Sequence, residues 1–357
     1  MADKQQVIDV LSKINDPELH RPLTDLDMVK NVEINGGEVN IEISLTIPGC
    51  PLKHKISEDV DTMVGALDGV EKVNITFGVM TDEQRKNLRA RLYGTDKAQT
   101  LEDGTPKVRP EDFTKRVIAV SSGKGGVGKS TTTCNLAAAL SGMGYRIGIL
   151  DADVYGFSVP RIMGVHGQPT IIDDHIIPMR RENIQIMSMG FFVGEDDPVI
   201  WRGPMLHKAI NQFLTDVFWD NLDILLIDMP PGTGDVTLTV AQAIPQAEML
   251  VVTTPQPVAA HTAGRVARLA EKTNLSVLGV IENMAYYEAN GHRDYIFGKD
   301  GGKNLAETLK TNFLGEIPIV TAIREASDGG EPAEFSNKNE IAGYYRAIAK
   351  ALVAAQT

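Results

Sequence analysis

The segment Gly123-Lys124-Gly125-Gly126-Val127-Gly128-Lys129-Ser130 carries the densest chemistry in the chain. It satisfies the spacing G-x-x-x-x-G-K-[S/T], which chance alone places in roughly 1% of chains this long. Closely spaced glycines let backbone N–H groups curl around phosphate oxygens, and the start of a following helix adds a favourable dipole. In such a loop Lys129 reaches the β- and γ-phosphates and the Ser130 hydroxyl ligates Mg²⁺. Thr131, next in line, completes the set expected to hold the nucleotide. Two acidic elements have the right chemistry to work with this loop. Ile149-Leu150-Asp151-Ala152-Asp153 places two carboxylates at a strand end, and alternation sets Asp151 and Asp153 on one side, able to face one Mg²⁺–water cluster. Ile224-Leu225-Leu226-Ile227-Asp228 is an apolar run closed by a further Mg²⁺-competent carboxylate. The Gly- and Pro-punctuated stretch Met229-Pro230-Pro231-Gly232-Thr233-Gly234-Asp235 follows, and can sense a γ-phosphate as a switch.

These groups need a scaffold that brings loop, helix and strand ends together. From Arg116 onward, short apolar runs at residues 117–120, 147–150, 224–227, 249–252 and 277–281 alternate with longer helical patterns. That rhythm predicts an α/β fold, a mostly parallel sheet with helices on both faces and ligands at the carboxyl ends of its strands. The glycine-rich segment follows the first run and precedes a helical pattern, the strand–loop–helix context its chemistry requires. Ile341, Tyr345, Ile348 and Leu352 recur at helical spacing and predict a closing, packed helix. Asn283 falls just past the run 277–281.

The start of the chain has a different pattern. Residues 1–95 read as a small α+β domain. Val7, Val10, Leu11 and Ile14 share a helical face, and two β-rich runs flank the turn Asn35-Gly36-Gly37. The turn Pro48-Gly49-Cys50-Pro51 leads into a helix with Leu52, Ile56, Val60 and Met63 on one face, and a strand over residues 70–77 closes the unit. Residues 96–113 are polar and aperiodic, a linker, and residues 114–357 form the nucleotide-binding domain.

Composition bounds the function. The 357 residues hold 35 Lys+Arg and 47 Asp+Glu, a net charge of −12, which disfavours a broad nucleic-acid surface but leaves room for a local basic patch. No apolar run reaches about 18 residues, so nothing is expected to span a membrane. The polar start lacks a secretory segment, and the expected location is the reducing cytoplasm. Two cysteines, Cys50 and Cys134, cannot supply a four-thiolate metal site within one chain. Cys134 falls among Leu136, Ala137 and Ala138 and reads as a small core residue. Cys50 has two readings: a thiol activated by a helix dipole, or a residue that shapes its turn.

With Lys124 after the first glycine, the loop resembles the deviant Walker A of the ParA/MinD/nitrogenase iron protein class. The resemblance implies a nucleotide-sandwich homodimer in which Lys124 reaches the partner's phosphates, Asp153 positions the attacking water, Asp151 joins the Mg²⁺ shell and Asn283 reads the adenine. Asp151-Ala152-Asp153-Val154-Tyr155-Gly156, Trp201-Arg202-Gly203-Pro204, residues 228–235, Glu282-Asn283-Met284 and residues 324–332 are together similar to Mrp/ApbC-type proteins. These resemble ATPases that carry iron–sulfur clusters to apo-proteins or work with assembly factors. Asp16-Pro17-Glu18-Leu19 and residues 46–52 resemble the iron–sulfur-assembly-type domain fused to many members.

One departure stands out. Cluster-carrying members hold a Cys-x-x-Cys pair between the Glu-Asn-Met element and an Ile-Phe-Gly element, whereas here residues 285–295 contain no cysteine. Glu288, His292 and Asp294 in that interval read either as a solvated polar loop or as ligands for a harder metal such as zinc. Three uses of the ATPase remain open. One is an iron–sulfur cluster carrier with Cys50 as the transfer thiol. A second is a DNA-binding regulator, because the chain resembles the cysteine-poor Gram-positive branch that includes SalA-type transcriptional regulators. The third is a ParA/MinD-type positioning ATPase, against which the weakly basic, Ala-rich tail argues.

Overall fold

The computed structural model describes residues 2–17, 19, 21–46, 53–81, 83–85, 88, 113–154, 156–172, 175–193, 203–336 and 339–355. Cys50 with the rest of its turn, Glu18, Tyr155, Trp201, Arg202 and nearly all of the expected linker lie outside the described residues. The chain divides into two compact units, Met1–Lys97 with Thr170–Ile177, and Ala98–Pro169 with Pro178–Thr357.

The first unit opens with helix α1 (Lys4–Leu11), which starts in a reciprocal cap. Asp3 Oδ1 accepts from Gln6 N at 2.8 Å while Asp3 N donates to Gln6 Oε1 at 2.9 Å. Val7 and Leu11 face inward, but Ile14 is not part of the helix as its spacing suggests. The helix stops at Leu11, and Ile14 is buried in the following turn, where its carbonyl accepts from Leu23 N at 2.9 Å. Strands β1 (Val29–Asn35) and β2 (Glu38–Leu45) form the expected hairpin, with Asn35 opposite Glu38 and Gly36 at φ 67°. Helix α2 (Lys53–Gly65) leads to β3 (Lys72–Val79), which pairs with β2 in parallel. Its inward face is Ile56, Val60 and Val64. Met63, expected among them, is 37% exposed, because positions four apart follow the buried stripe here. Two short strands, β6 (Ile171–Ile172) and β7 (His175–Ile176), also belong to this unit.

The second unit is built on a mostly parallel sheet. Its strands are β4 (Val117–Ser122), β5 (Ile147–Asp151), β8 (Met179–Arg181), β9 (Ile184–Ser188), β10 (Ile224–Asp228), β11 (Glu248–Thr253), β12 (Ser276–Ala289), β13 (His292–Asp294) and β14 (Asn312–Ile319). They run in the order β13-β12-β11-β4-β10-β5-β9-β8, with β14 also on β12. Only β8 and β13 pair antiparallel. All five expected core strands are present. Ile118, Val120, Ile147, Ile149, Ile224, Leu226, Leu250 and Val252 are buried on one face of this sheet, and the alternate residues Ala119, Leu225, Ile227, Met249 and Val251 are buried on the other. Burial on both faces is why these strands read as continuous apolar runs.

Helices α3 (Lys129–Gly142), α4 (Val159–Met163), α9 (Thr321–Asp328) and α10 (Asn339–Ala354) share one cluster with the first face. Ile341, Tyr345, Ile348 and Leu352 of α10 are all inward, as their spacing predicts. Each full burial of such a side chain is worth about 1.5–3 kcal/mol. The remaining helices are α5 (Gly203–Thr215), α6 (Asp235–Ala243), α7 (Pro257–Lys272) and α8 (Gly301–Leu309). Arg116, just before β4, forms an ion pair with Glu248 at the start of β11. It also donates to the carbonyls of Leu352 and Ala355, each at 3.2 Å, so it fixes the last turn of α10 to the sheet.

Two expectations fail near the sheet edge. Asn283 does not follow its strand, because β12 continues to Ala289. The interval after it is not a loop either. Asn290 and Gly291, at φ 53° and 74°, form a two-residue turn, and β12 and β13 pair as a hairpin. Glu288 stands opposite Arg293 and bonds it at 3.0 Å, while His292 and Asp294 flank Arg293 and alternate to the other face. The three do not converge, and no group of three His, Cys, Asp or Glu among the described residues can hold a metal ion.

Candidate functional site

β4, β10 and β5 lie side by side in register, with Asp228 level with both Val120 and Asp151. Their carboxyl ends therefore deliver two carboxylates and the glycine-rich loop to one place. The loop turns sharply: Gly126 and Gly128 have φ of 77° and 82°, conformations that glycine adopts without strain. Gly128 is doubly required, because a Cβ there would stand 2.2 Å from Asn283 Nδ2. At Gly125 and Gly126 a Cβ would meet nothing within 4 Å, so their backbone borders open space.

Lys129, the first residue of α3, is buried between carboxylates. Its ammonium lies 2.7 Å from Asp228 Oδ2 and 3.7 Å from Asp153 Oδ2. Asp228 also accepts from Ser130 Oγ at 2.6 Å and from Thr133 Oγ1 at 2.9 Å. Sequence reading missed Thr133, although one helical turn from Lys129 places it on the same side. Asp151 is the last residue of β5, so the alternation expected to align it with Asp153 ends there. Its Oδ2 accepts from Ser188 Oγ at 2.9 Å and its Oδ1 from Asp153 N at 3.2 Å. Burial, and then the neighbouring Asp228 charge, hold the Asp151 carboxyl well above the usual carboxylate range. Ser188 too was missed, since only strand pairing brings β9 beside β5.

The donor set fits a hard cation with phosphate oxygens. The Ser130 hydroxyl donates to an Asp228 carboxylate oxygen, and the loop borders open space at Gly125 and Gly126. It does not fit an iron–sulfur cluster: Cys134 is wholly buried in α3, and burial pushes its thiol up, with the Asp228 and Asp151 charges adding to the effect. Cys50 lies outside the described residues. Lys124 does not point freely into solvent; its Nζ donates to Gln256 Oε1 at 2.8 Å. Asn283 Nδ2 donates to the Val127 carbonyl at 2.8 Å. In the switch stretch, Gly232 N donates to Ser122 O at 2.8 Å, which ties it back to the end of β4.

Comparisons with known proteins point to the same class of nucleotide-binding domain. Residues 113–353 match the model of the NUBPL iron-transfer P-loop NTPases, and residues 4–77 that of an iron-sulfur cluster assembly protein. The chain is 46% identical over 341 residues to the iron-sulfur cluster carrier protein of Mycobacterium tuberculosis (strain ATCC 25618 / H37Rv), covering 93% of this chain and 88% of the relative. It is 40% identical to the protein of that name from Bacillus subtilis (strain 168), over 98% and 97% of the two chains. Among solved structures, a nucleotide-binding protein in complex with ADP from Archaeoglobus fulgidus superimposes with TM-score 0.55 at 38% identity, over 63% of this chain and 90% of that one. The cell division ATPase MinD of Pyrococcus furiosus, at 22% identity and TM-score 0.51, shares the fold over 67% of this chain and 98% of its own.

Proposed function

The chain belongs to the NUBPL iron-transfer P-loop NTPase family, and from that membership we propose that it is an ATP-hydrolysing carrier of iron–sulfur clusters. The observation that best supports the reading is Lys129, held between Asp228 and Asp153 at the foot of the phosphate loop. Residues 123–131 cradle the phosphates of ATP, and Lys129 exchanges its carboxylate partners for β- and γ-phosphate oxygens. Ser130 and Asp228 would hold Mg²⁺, and Asp151 would join its shell. The bound ion supplies positive charge to the phosphates. Asp153, released by Lys129, orients the attacking water. Asn283 contributes to reading the adenine from beside the loop.

In this reading the active form is a homodimer. Lys124 leaves Gln256 and reaches the nucleotide of the second subunit, so closure and hydrolysis are linked. The protein works in the cytoplasm, and its partners are apo iron–sulfur proteins and assembly factors. No helix among the described residues is long and apolar enough to cross a membrane. Cys50 is the thiol proposed to hold or pass the cluster. The relatives lend no support to the transcriptional-regulator alternative.

Anaerobic reconstitution of the wild type and Cys50→Ala, followed by transfer to an apo-ferredoxin, tests the proposal. The wild type should take up a labile cluster and activate the acceptor faster with ATP, and Cys50→Ala should lose transfer. A wild type that takes up no cluster would overturn the carrier reading, and ATP-sensitive DNA retention would then favour a regulator. Lys124→Ala should bind nucleotide normally yet lose the protein-concentration dependence of hydrolysis.

A further inference from the structure

α7 presents a basic outer face in a chain whose net charge is −12. His261, Arg265, Arg268 and Lys272 are exposed there at spacings of four, three and four residues. At about 100° per residue they fall on one arc with Val258 and Leu269, spanning about 100° with Arg265 near its centre. Among the described residues none of the three lysine and arginine side chains has an ion-pair partner. Arg146 and Arg346, by contrast, are matched to Asp223 and Glu334. Glu271 lies about 60° outside the arc. Val258, at the N-terminal end of the arc, is 73% exposed, the most exposed large hydrophobic residue described.

The buried face of α7 is small: Ala259, Ala263, Gly264, Val266, Ala267 and Ala270. That lets its backbone lie directly on the phosphate loop. A Cβ on Gly123 would stand 2.3 Å from Ala263 N and 2.5 Å from the carbonyl carbon of Thr262. The residue before the helix is Gln256, the partner of Lys124. Gly123 thus rests on α7, and Lys124 on the residue that precedes it.

We propose that the outer face of α7 docks an acidic, amphipathic protein segment, and that nucleotide at the phosphate loop changes its affinity. Carboxylates one helical turn apart match the cation spacing, and an apolar residue between them covers Val258. A nucleic-acid backbone would satisfy the cations but leave Val258 in water, so a protein segment fits better. The coupling rests on the nucleotide reading above; the docking does not.

The test uses the full-length chain and a labelled 18-residue helical peptide with Glu at i, i+4, i+7 and i+11 and Leu between. A Lys-for-Glu peptide and a 24-base-pair duplex serve as competitors. The wild type should bind the acidic peptide in a salt-dependent way. Arg265→Glu/Arg268→Glu should weaken it at least tenfold, Arg265→Lys/Arg268→Lys should keep it, and neither should change peptide-free ATP turnover. Affinity should differ at least threefold between ADP and a non-hydrolysable ATP analogue. Equal binding by wild type and the Glu variant overturns the docking face. Displacement by duplex DNA through the same arginines overturns the protein occupant. Nucleotide-independent affinity, with fluorescent nucleotide binding intact in the same sample, overturns the coupling alone; loss of that binding would instead count against the nucleotide reading.

Discussion

The side-chain amide of Asn283 donates to the carbonyl of Val127 at 2.8 Å, tying β12 to the phosphate loop across 156 residues. The bond fixes the loop just before its last glycine. Asn283→Ala leaves that carbonyl without its partner, a loss of about 1–3 kcal/mol where it is buried. The expected outcome is a rise of about tenfold in KM for ATP with a smaller change in kcat, read from steady-state turnover. An unchanged KM would mean the bond does not shape the loop.

Gly128→Ala should abolish nucleotide binding, because the new methyl meets Asn283 and φ stays at 82°. The two causes separate in a double variant. Gly128→Ala/Asn283→Gly removes the collision but keeps the dihedral strain of about 1–2 kcal/mol. It should recover binding in part, as measured by titration with a fluorescent nucleotide.

Lys129→Ala removes the cation that Asp228 and Asp153 share. Turnover should fall by about a hundredfold or more, in line with the loss of a preorganised charge at a phosphoryl-transfer site. Turnover at the wild-type rate would overturn the site.

Cys134 should be silent to thiol reagents in the folded protein. Burial disfavours its thiolate, and the adjacent carboxylate charges disfavour it further. Labelling with iodoacetamide at pH 8, followed by peptide mass mapping, should modify Cys134 only after denaturation. Rapid native modification would show that α3 opens.

Asp223 supplies a pH-dependent contribution far from the nucleotide. Its carboxylate accepts from Arg146 Nε and Nη2, each at 3.0 Å, and from Lys115 Nζ at 2.7 Å. The Arg146 hydrogen bond, more than Lys115, holds its carboxyl well below the usual range. A lowered folded-state pKa gives stability that is fully present above the unfolded value and lost as pH falls through the folded one. Asp223→Asn should therefore cost about 1–2 kcal/mol at pH 7, given the partly exposed partners. The gap in urea midpoint should narrow below about pH 4.

Much of this was legible because its signals are local. The glycine-rich loop, the five apolar runs and the inward stripe of α10 each sit within one element. The end of β12 was not, because Glu282 and Asn283 are polar yet buried inside the strand. Glu282 accepts from Gly302 N and Asn283 donates to Val127, bonds that no nearby sequence announces. The same holds for Ser188 beside Asp151 and Gln256 beside Lys124, partners that only strand order and helix placement bring together. The Met63 and Ile14 errors are smaller: an apolar stripe shows that a helix has a face, not which turn ends it.

Arg116 grips the carbonyls of Leu352 and Ala355, and α10 covers the helix that follows the phosphate loop. The first strand of this unit is thus finished by its last helix. During synthesis, a nascent chain that has already emerged through β12 still lacks the cover for α3 and the acceptors for Arg116. A ribosome paused there would hold an exposed apolar flank, a substrate for chaperones rather than a working nucleotide site.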